Sequence, residues 1–262
     1  MVSSVAMCVS QVLCVKCYGA VSDGSTVLLY PTQRFDYNPA MRVLYHLGLS
    51  PVCRKVRIAL TEKDLEFELR TEHLWQRRPE FLALNPAGDV PVMVEEDGLV
   101  VSDSAAICEY LEEVAPTPSL IPGSPAERAE IRRLVAWFDI KFNREVSANL
   151  VGEKILKRFV RRESPDASAI RAGKENIRYH LDYIGWLAER RTWLGGPKFS
   201  LADIAAAAHL SALDYLDDVP WDSHPDAKDW YMRMKSRPSF RPILADHIPG
   251  EPPPKHYANL DF

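Results

Sequence analysis

The first sustained pattern of hydrophobic and polar positions begins at residue 41 and predicts strands and helices in alternation. A short apolar run over 41–46 suits a buried strand, and 52–62 suits a helix with one apolar face. Apolar and polar residues alternate over 65–69, as they do in a strand with one solvated face. Two further strands around an Asp-Gly turn, and then a helix, follow over 90–94, 99–101 and 103–113. This order of elements predicts a small α/β domain.

A proline-rich stretch separates this region from a second one that has helical periodicity throughout. Apolar residues recur at helical spacing over 126–162 and 167–191, and a third helix begins at Ser200. Ser200 and Asp203 have the spacing of a capping box, in which each side chain serves the backbone amide of the other residue. We therefore expect an extension over 1–40, an α/β domain over 41–116, a linker over 117–125, an all-helical domain over 126–245 and a tail over 246–262.

Composition and charge narrow the classes of function. Of the 262 residues, 47% are hydrophobic and 26% are charged, which is typical of a soluble globular protein. The net charge of -4 gives no global field that would recruit nucleic acid or an anionic membrane, and no apolar stretch is long enough to insert in a bilayer. Five scattered cysteines do not suggest a disulfide framework and suit the cytoplasm. Because Cys14 and Cys17 lack a second pair of metal ligands, we predict no metal and no resident cofactor.

The first forty residues differ from the rest of the chain. They carry few charges and show no sustained hydrophobic period. We favour a disordered extension or a start assigned too far upstream, and a genuine N-terminal tail is the alternative.

Two predicted helix N-termini carry candidate binding chemistry. Ser50 precedes Pro51 and falls at an N-cap, and Asp103 and Ser104 open the later helix. A helix N-terminus presents free amides and a partial positive charge, so it can stabilise an anion. The commoner use of such residues is helix capping alone, and both interpretations stay open at this point.

A series of short motifs runs through the first folded region: Leu44-Tyr45, Ser50-Pro51, Arg54-Lys55-Val56-Arg57, Asn85-Pro86, Val90-Pro91-Val92, Asp103-Ser104, Ala106-Ile107 and Tyr110-Leu111. In this order they resemble the N-terminal domain of the glutathione transferase superfamily. The Ser-x-x-Asp box before an Ala-rich helix extends the resemblance into the second region. The fold implied is a thioredoxin-like α/β domain followed by an all-helical domain.

The resemblance implies roles for five residues. The bond between Val90 and Pro91 would be cis, and the backbone before it would hold the cysteinyl part of glutathione. Asp103 and Ser104 would bind the γ-glutamyl group. Ser50 would donate a hydrogen bond to the glutathione thiolate, which the nearby helix N-terminus would stabilise. Glutathione is therefore a possible substrate or ligand.

Two features set this sequence apart within that superfamily. The first is a stripe of basic residues at helical spacing, which is either a solvated face or a docking strip for an acidic partner: Lys154, Lys157, Arg158, Arg161 and Arg162. The second is a proline-rich C-terminal tail that carries Tyr257, Leu260 and Phe262. This tail either lies back on the helical domain or serves as a recognition peptide.

One branch of the superfamily, which acts in alphaproteobacterial cell division, resembles the chain over residues 41–262. The matching stretches include 50–57, 107–113, 133–139, 176–186, 227–231 and 256–262. This resemblance implies a cytoplasmic homodimer that binds and curves filaments of the tubulin-like protein FtsZ at the division site.

The candidate surface for FtsZ combines the basic stripe with Trp75, Arg77, Arg78, Tyr257 and Phe262. Trp75 could equally pack against its own domain. The alternative function is that of a serine-type glutathione transferase, which would conjugate glutathione to a small electrophile or reduce a peroxide. Whether the chain is an enzyme stays open on the sequence alone.

Overall fold

The computed structural model describes residues 41–160 and 163–260, without the side chains of residues 158–160. The extension that we expect over 1–40 lies outside these described residues. The α/β region contains four strands and three helices: β1 Val43–His46, α1 Pro51–Glu62, β2 Glu68–Thr71, α2 Pro79–Leu84, β3 Val92–Val94, β4 Val100–Ser102 and α3 Ser104–Val114. The strand order is β2-β1-β3-β4, with β1 and β2 parallel and the other pairs antiparallel.

Strand β2 begins three residues later than the alternating pattern predicts. Leu65 and Phe67 belong to the connection from α1, where they pack against the main hydrophobic core. The ladder with β1 starts at Glu68, opposite Val43. The alternation over 65–69 therefore reflects packing on the core more than strand pairing, and hydrophobic pattern alone does not distinguish the two.

The two faces of the sheet belong to different clusters. Leu44 and Met93 point into the main core, which continues through α1 into the helical region. Val43, Tyr45 and Val92 point the other way, into a smaller cluster that Phe81 of α2 covers. Successive residues of a strand face opposite sides, so both faces of these short strands are buried.

The second region is helical throughout: α4 Pro125–Ala136, its continuation Trp137–Val160 with the wider turn of a π-helix, α5 Ala167–Arg190, α6 Leu201–Tyr215, α7 Pro225–Lys235 and α8 Arg241–Leu244. Buried residues recur every fourth position along the continuation, at Phe138, Phe142, Val146 and Leu150. Ser147, Val151 and Ile155 extend this buried face. Within the described residues, no helix combines the length and the apolar character that a membrane span needs.

Helix α6 forms the centre of the helical region, since every residue from Leu201 to Tyr215 is buried. Asp203, in its first turn, accepts hydrogen bonds from the Ser200 amide at 3.1 Å and from the Leu194 amide at 2.8 Å. Trp230 donates to the same carboxylate at 3.1 Å. Burial nevertheless raises the pKa of Asp203 to about 6. Asp203 thus joins the start of α6 to α7 and to the turn before it.

Candidate functional site

The register of the sheet assembles one edge from three strands. Val92, the first residue of β3, pairs with Tyr45 near the end of β1 and with Ser102 at the end of β4. Pro91 therefore precedes β3 at the point where Asp103 follows β4. The end of β1 lies at the same edge. Strand pairing thus brings Pro91 and Asp103, two residues that the sequence predicts for the site, to the same edge. The chain leaves β1 at this edge and enters α1 five residues later.

The Val90–Pro91 peptide bond is cis, as the family resemblance implies. Val90 is half-buried and Pro91 is buried. The preceding turn is held by Asn85, whose side-chain amide donates to the Asp89 carbonyl at 2.9 Å and whose side-chain oxygen accepts from the Ala87 amide at 3.2 Å. Asn85 thus positions the chain that leads into the cis-proline, a role that its spacing to Pro91 does not reveal.

Ser50 caps α1 and remains half-buried beside this edge. Its hydroxyl oxygen accepts a long hydrogen bond, 3.5 Å, from the Cys53 amide, while Pro51 occupies the first turn. Because the hydroxyl oxygen is the acceptor, its proton stays available for donation to a ligand. Cys53 is fully buried, and burial raises the pKa of its thiol to about 11, which disfavours the reactive thiolate.

Asp103 caps α3 from a strained backbone. Its φ of 77° lies in the left-handed region that favours glycine. Its Oδ1 accepts from the amides of Ala105 at 2.7 Å and Ala106 at 3.2 Å. Those two amides are therefore already bound, and a ligand carboxylate would have to rely on the neighbouring Ser104, which is buried at the helix start. Strain of this kind persists where the surrounding structure holds it, often at functional sites.

The residues after β2 that the sequence suggests as partner contacts lie together on one turn, where Trp75 and Arg77 are exposed. Trp75, in the short 3₁₀ helix Leu74–Gln76, is 48% exposed, and its ring centroid lies 4.7 Å from that of His73. Arg77 is exposed and has a left-handed backbone. Arg78 pairs with the buried Glu72, with 3.2 Å between Nε and Oε1. Trp75 is thus about half exposed, and the rest of its side chain packs against its own domain, where His73 is one neighbour.

The two lysines of the basic stripe whose side chains the structure describes, Lys154 and Lys157, both form ion pairs. Lys154 donates to both carboxylate oxygens of Asp218, at 2.7 and 2.6 Å, and Lys174 lies 3.3 Å from the same carboxylate. Lys157 pairs with Glu153 at 3.0 Å. These two lysines compensate acids of their own domain, so they offer less free charge to a docking strip than the sequence suggests. The side chain of Arg158, and Arg161 and Arg162, lie outside the described residues.

The tail lies back on the helical region. Tyr257 is fully buried, its hydroxyl donates to the Ile243 carbonyl at 3.1 Å, and its ring centroid lies 5.1 Å from that of Tyr215. A partner cannot reach Tyr257 while the tail is docked, because no part of the side chain is exposed. This burial corrects its assignment as a surface contact. Phe262 lies outside the described residues.

Three cations on α1, which belong to the motif Arg54-Lys55-Val56-Arg57, are buried. Arg54 and Lys55 are fully buried and Arg57 is nearly so. They pair with Asp139 of the helical region and with Asp246 at the start of the tail. No local pattern marks this burial, because the partner acids lie far away along the chain.

Comparisons with known proteins show which family shares this fold and sequence. Residues 49–114 match the family model of the glutathione S-transferase N-terminal domain, and residues 148–238 match that of the C-terminal domain. FtsZ-localized protein A of Caulobacter vibrioides is 51% identical over 224 residues, which cover 84% of this chain and 98% of that protein.

Two solved structures have the same fold over the same region. A glutathione S-transferase from Rhodospirillum rubrum F11 is 59% identical, with a TM-score of 0.83, over 85% of this chain and 100% of the other. The structure of FzlA from C. crescentus is 50% identical, with a TM-score of 0.82 and the same coverage. The chain therefore belongs to the glutathione S-transferase family.

Proposed function

We propose that this protein is a homodimer with the glutathione S-transferase fold that binds FtsZ filaments in bacterial cell division. The observation that carries the proposal is the 51% identity with FtsZ-localized protein A over 98% of that protein's length. The name of that relative connects it with FtsZ. The structure of FzlA matches over 85% of this chain.

The support for a homodimer comes from exposed apolar residues at the end of α4 and in its continuation. Ile140 is 64% exposed, and Ala136 is exposed one turn before it on the same helical face. Arg132, one turn earlier still, pairs with Glu109 of α3 at 2.7 Å, so this face continues onto the neighbouring helix. A two-fold interface buries the same patch of both copies, and Ile140 would supply an apolar contact at its centre. Two copies of each docking surface would give avidity on a filament.

The partner surface that we favour is the turn after β2. Trp75 offers a large exposed ring, and aromatic and arginine side chains are common anchors at protein interfaces. Arg77 supplies an exposed cation beside it. Arg78 contributes less charge because Glu72 compensates it. The surface therefore reduces to Trp75 and Arg77.

Co-sedimentation with GTP-assembled FtsZ polymers tests this function. We expect the wild-type protein to pellet with the polymers, and Trp75→Ala to weaken binding by roughly thirtyfold, the effect of losing an interface anchor of about 2 kcal/mol. Trp186→Ala is the matched control, because Trp186 is 49% exposed on α5, far along the chain from the favoured turn.

The two possible failures have different meanings. Wild-type protein that stays in the supernatant with assembled polymers would contradict FtsZ binding itself. Equal binding by Trp75→Ala and Trp186→Ala would contradict only the surface. Circular dichroism melts of both variants exclude unfolding as the cause of a loss.

A second candidate function is glutathione transfer, and the retained cis-proline edge favours it. Ser50 stands at a helix N-terminus with a hydroxyl proton available, next to the edge formed by Pro91 and Asp103. Such a position would lower the pKa of a bound thiol by hydrogen bonding and by the helix dipole.

Thermal melts with millimolar glutathione test this candidate separately. A ligand that binds only the folded chain at ten times its Kd adds about 1.4 kcal/mol to the free energy of unfolding, which is a measurable rise in Tm. Ser50→Ala should keep part of the rise if the peptide part of glutathione supplies most contacts. An unchanged Tm of the wild-type protein would contradict glutathione binding.

A further inference from the structure

Arg54 joins three parts of the chain at one buried point. Its Nε donates to the Gly48 carbonyl at 2.7 Å, in the loop that leads to Ser50. One terminal nitrogen donates to the Ser211 hydroxyl of α6 at 2.9 Å, and the other to Asp246, where the tail begins, at 3.1 Å. The side chain is fully buried, so water cannot replace any of these acceptors.

The tail is anchored at the same place by a second arginine and by Tyr257. Arg57 donates to both oxygens of Asp246, at 2.8 and 3.0 Å. Tyr257, eleven residues further along, is fully buried, and its phenol interacts electrostatically with the Arg54 guanidinium. Asp246 and Tyr257 thus contact Arg54 from the two ends of the docked tail.

The middle of the tail is held as firmly. The Tyr215 hydroxyl donates to the Glu251 carbonyl at 2.7 Å and accepts from the Ile248 amide at 2.8 Å. A Cβ at Gly48 would lie 4.0 Å from the Ile248 side chain, so the tail also lies against the loop directly.

We propose that the docked tail, residues 246–257, sets the conformation of the loop that presents Ser50, and that it acts through Arg54 as a positioning residue. The guanidinium is planar and rigid, so its donors cannot be aimed independently. A shift of Asp246 or Tyr257 therefore moves the Nε donor away from the Gly48 carbonyl. By linkage, a partner that draws the tail away loosens the loop, and a ligand on the loop holds the tail more tightly.

Hydrogen exchange of the full chain, followed by mass spectrometry, tests this coupling without any ligand or partner. In Asp246→Asn we expect amides of residues 47–53 to exchange about tenfold faster, because a hydrogen bond to a charged group contributes about that much. Amides of residues 92–102 should be unchanged. Tyr257→Phe, which removes only the hydroxyl, should give a smaller increase at the same loop amides.

Glu112→Gln is the matched control. It also removes a carboxylate that pairs with a buried cation, Lys63 at 2.7 Å, but it leaves the tail contacts intact. We expect no local increase over 47–53 in this variant. Arg54→Lys keeps the charge but not the fork of donors, so it should resemble Asp246→Asn.

The coupling would be overturned by loop amides that exchange in Asp246→Asn as they do in Glu112→Gln, or by an increase spread evenly over the sheet. If Asp246→Asn does not fold, Tyr257→Phe decides by the same comparison. None of these outcomes depends on FtsZ or glutathione binding, so a failure of the proposed function leaves the test intact.

Discussion

Helix α1 takes part in two regions of the molecule that are built in different ways. Its N-terminus belongs to the cis-proline edge, where polar groups are satisfied by near neighbours in the chain: Ser50 by Cys53, and Asp103 by Ala105. Its body belongs to the boundary with the helical region. There, Lys55 pairs with Asp139, 84 positions away, and Arg54 pairs with Asp246, 192 positions away.

The difference shows how one helix separates binding from stability. Changing a group at the edge disturbs one helix start, and the cost is that of a single cap. Changing a group at the boundary leaves a charge buried without its partner, and the cost is several times larger. We therefore expect substitutions at the edge to cost less stability than substitutions at the boundary.

The largest effect is expected at the pair Lys55 and Asp139. Burial disfavours the charged form of Lys55, but Asp139 outweighs it and holds the pKa of Lys55 above its ordinary value. The pKa of Asp139 is lowered in spite of burial, by His209 and Lys55. Asp139→Asn leaves the Lys55 cation uncompensated, so we expect a loss of about 3–5 kcal/mol in the free energy of unfolding, measured by urea denaturation.

Glu109→Gln is the control for this variant. Its ion pair with Arg132 also joins the two regions, but both side chains are more than 40% exposed. Removing such a pair should cost about 0–1 kcal/mol. If the two variants lost equal stability, the boundary would not differ from the surface in the way described.

The next effect is a pH dependence at His46, which lies between the two regions at the end of β1. Burial, and then Arg57 and Arg54, lower its pKa to about 4, although Asp246 opposes them. As the pH drops below about 6.5, His46 becomes protonated in the unfolded chain but stays neutral in the folded chain until about pH 4. The free energy of unfolding therefore falls as the pH drops. From pH 7 to pH 5 this contribution amounts to a loss of about 2 kcal/mol.

Urea denaturation at both pH values measures this loss. His46→Gln should lose about 2 kcal/mol less than the wild-type protein over the same interval. His73→Gln, which alters an exposed histidine, should follow the wild-type profile. A His46→Gln profile that matches the wild type would show that His46 does not contribute to the acid sensitivity.

The smallest effect separates capping from strain at Asp103. Asp103→Ala loses the cap and keeps the positive φ, so we expect a cost of about 1–2 kcal/mol. Asp103→Gly also loses the carboxylate but adopts φ 77° without strain, so it should cost roughly 1 kcal/mol less than the alanine variant. Equal costs in thermal or urea unfolding would mean that the backbone at Asp103 stores no strain.

Local patterns predicted much of the edge. The N-caps at Ser50 and Asp103, the helix starts and the hairpin all depend on residues within a few positions of one another, and the structure contains them. The cis bond at Pro91 followed from the family resemblance alone. Periodicity failed at β2, because Leu65 and Phe67 alternate for core packing and the ladder begins only at Glu68.

By itself, the sequence determined the order of elements, their caps and the break between the two regions, because these depend on short-range spacing. The tertiary structure decided which charged and aromatic residues are available. Lys154, read as a surface cation, pairs with Asp218, and Tyr257, read as a partner contact, is buried against Tyr215. Such partners lie tens of positions apart along the chain, so the spacing of nearby residues does not reveal them. Only folding brings them into contact.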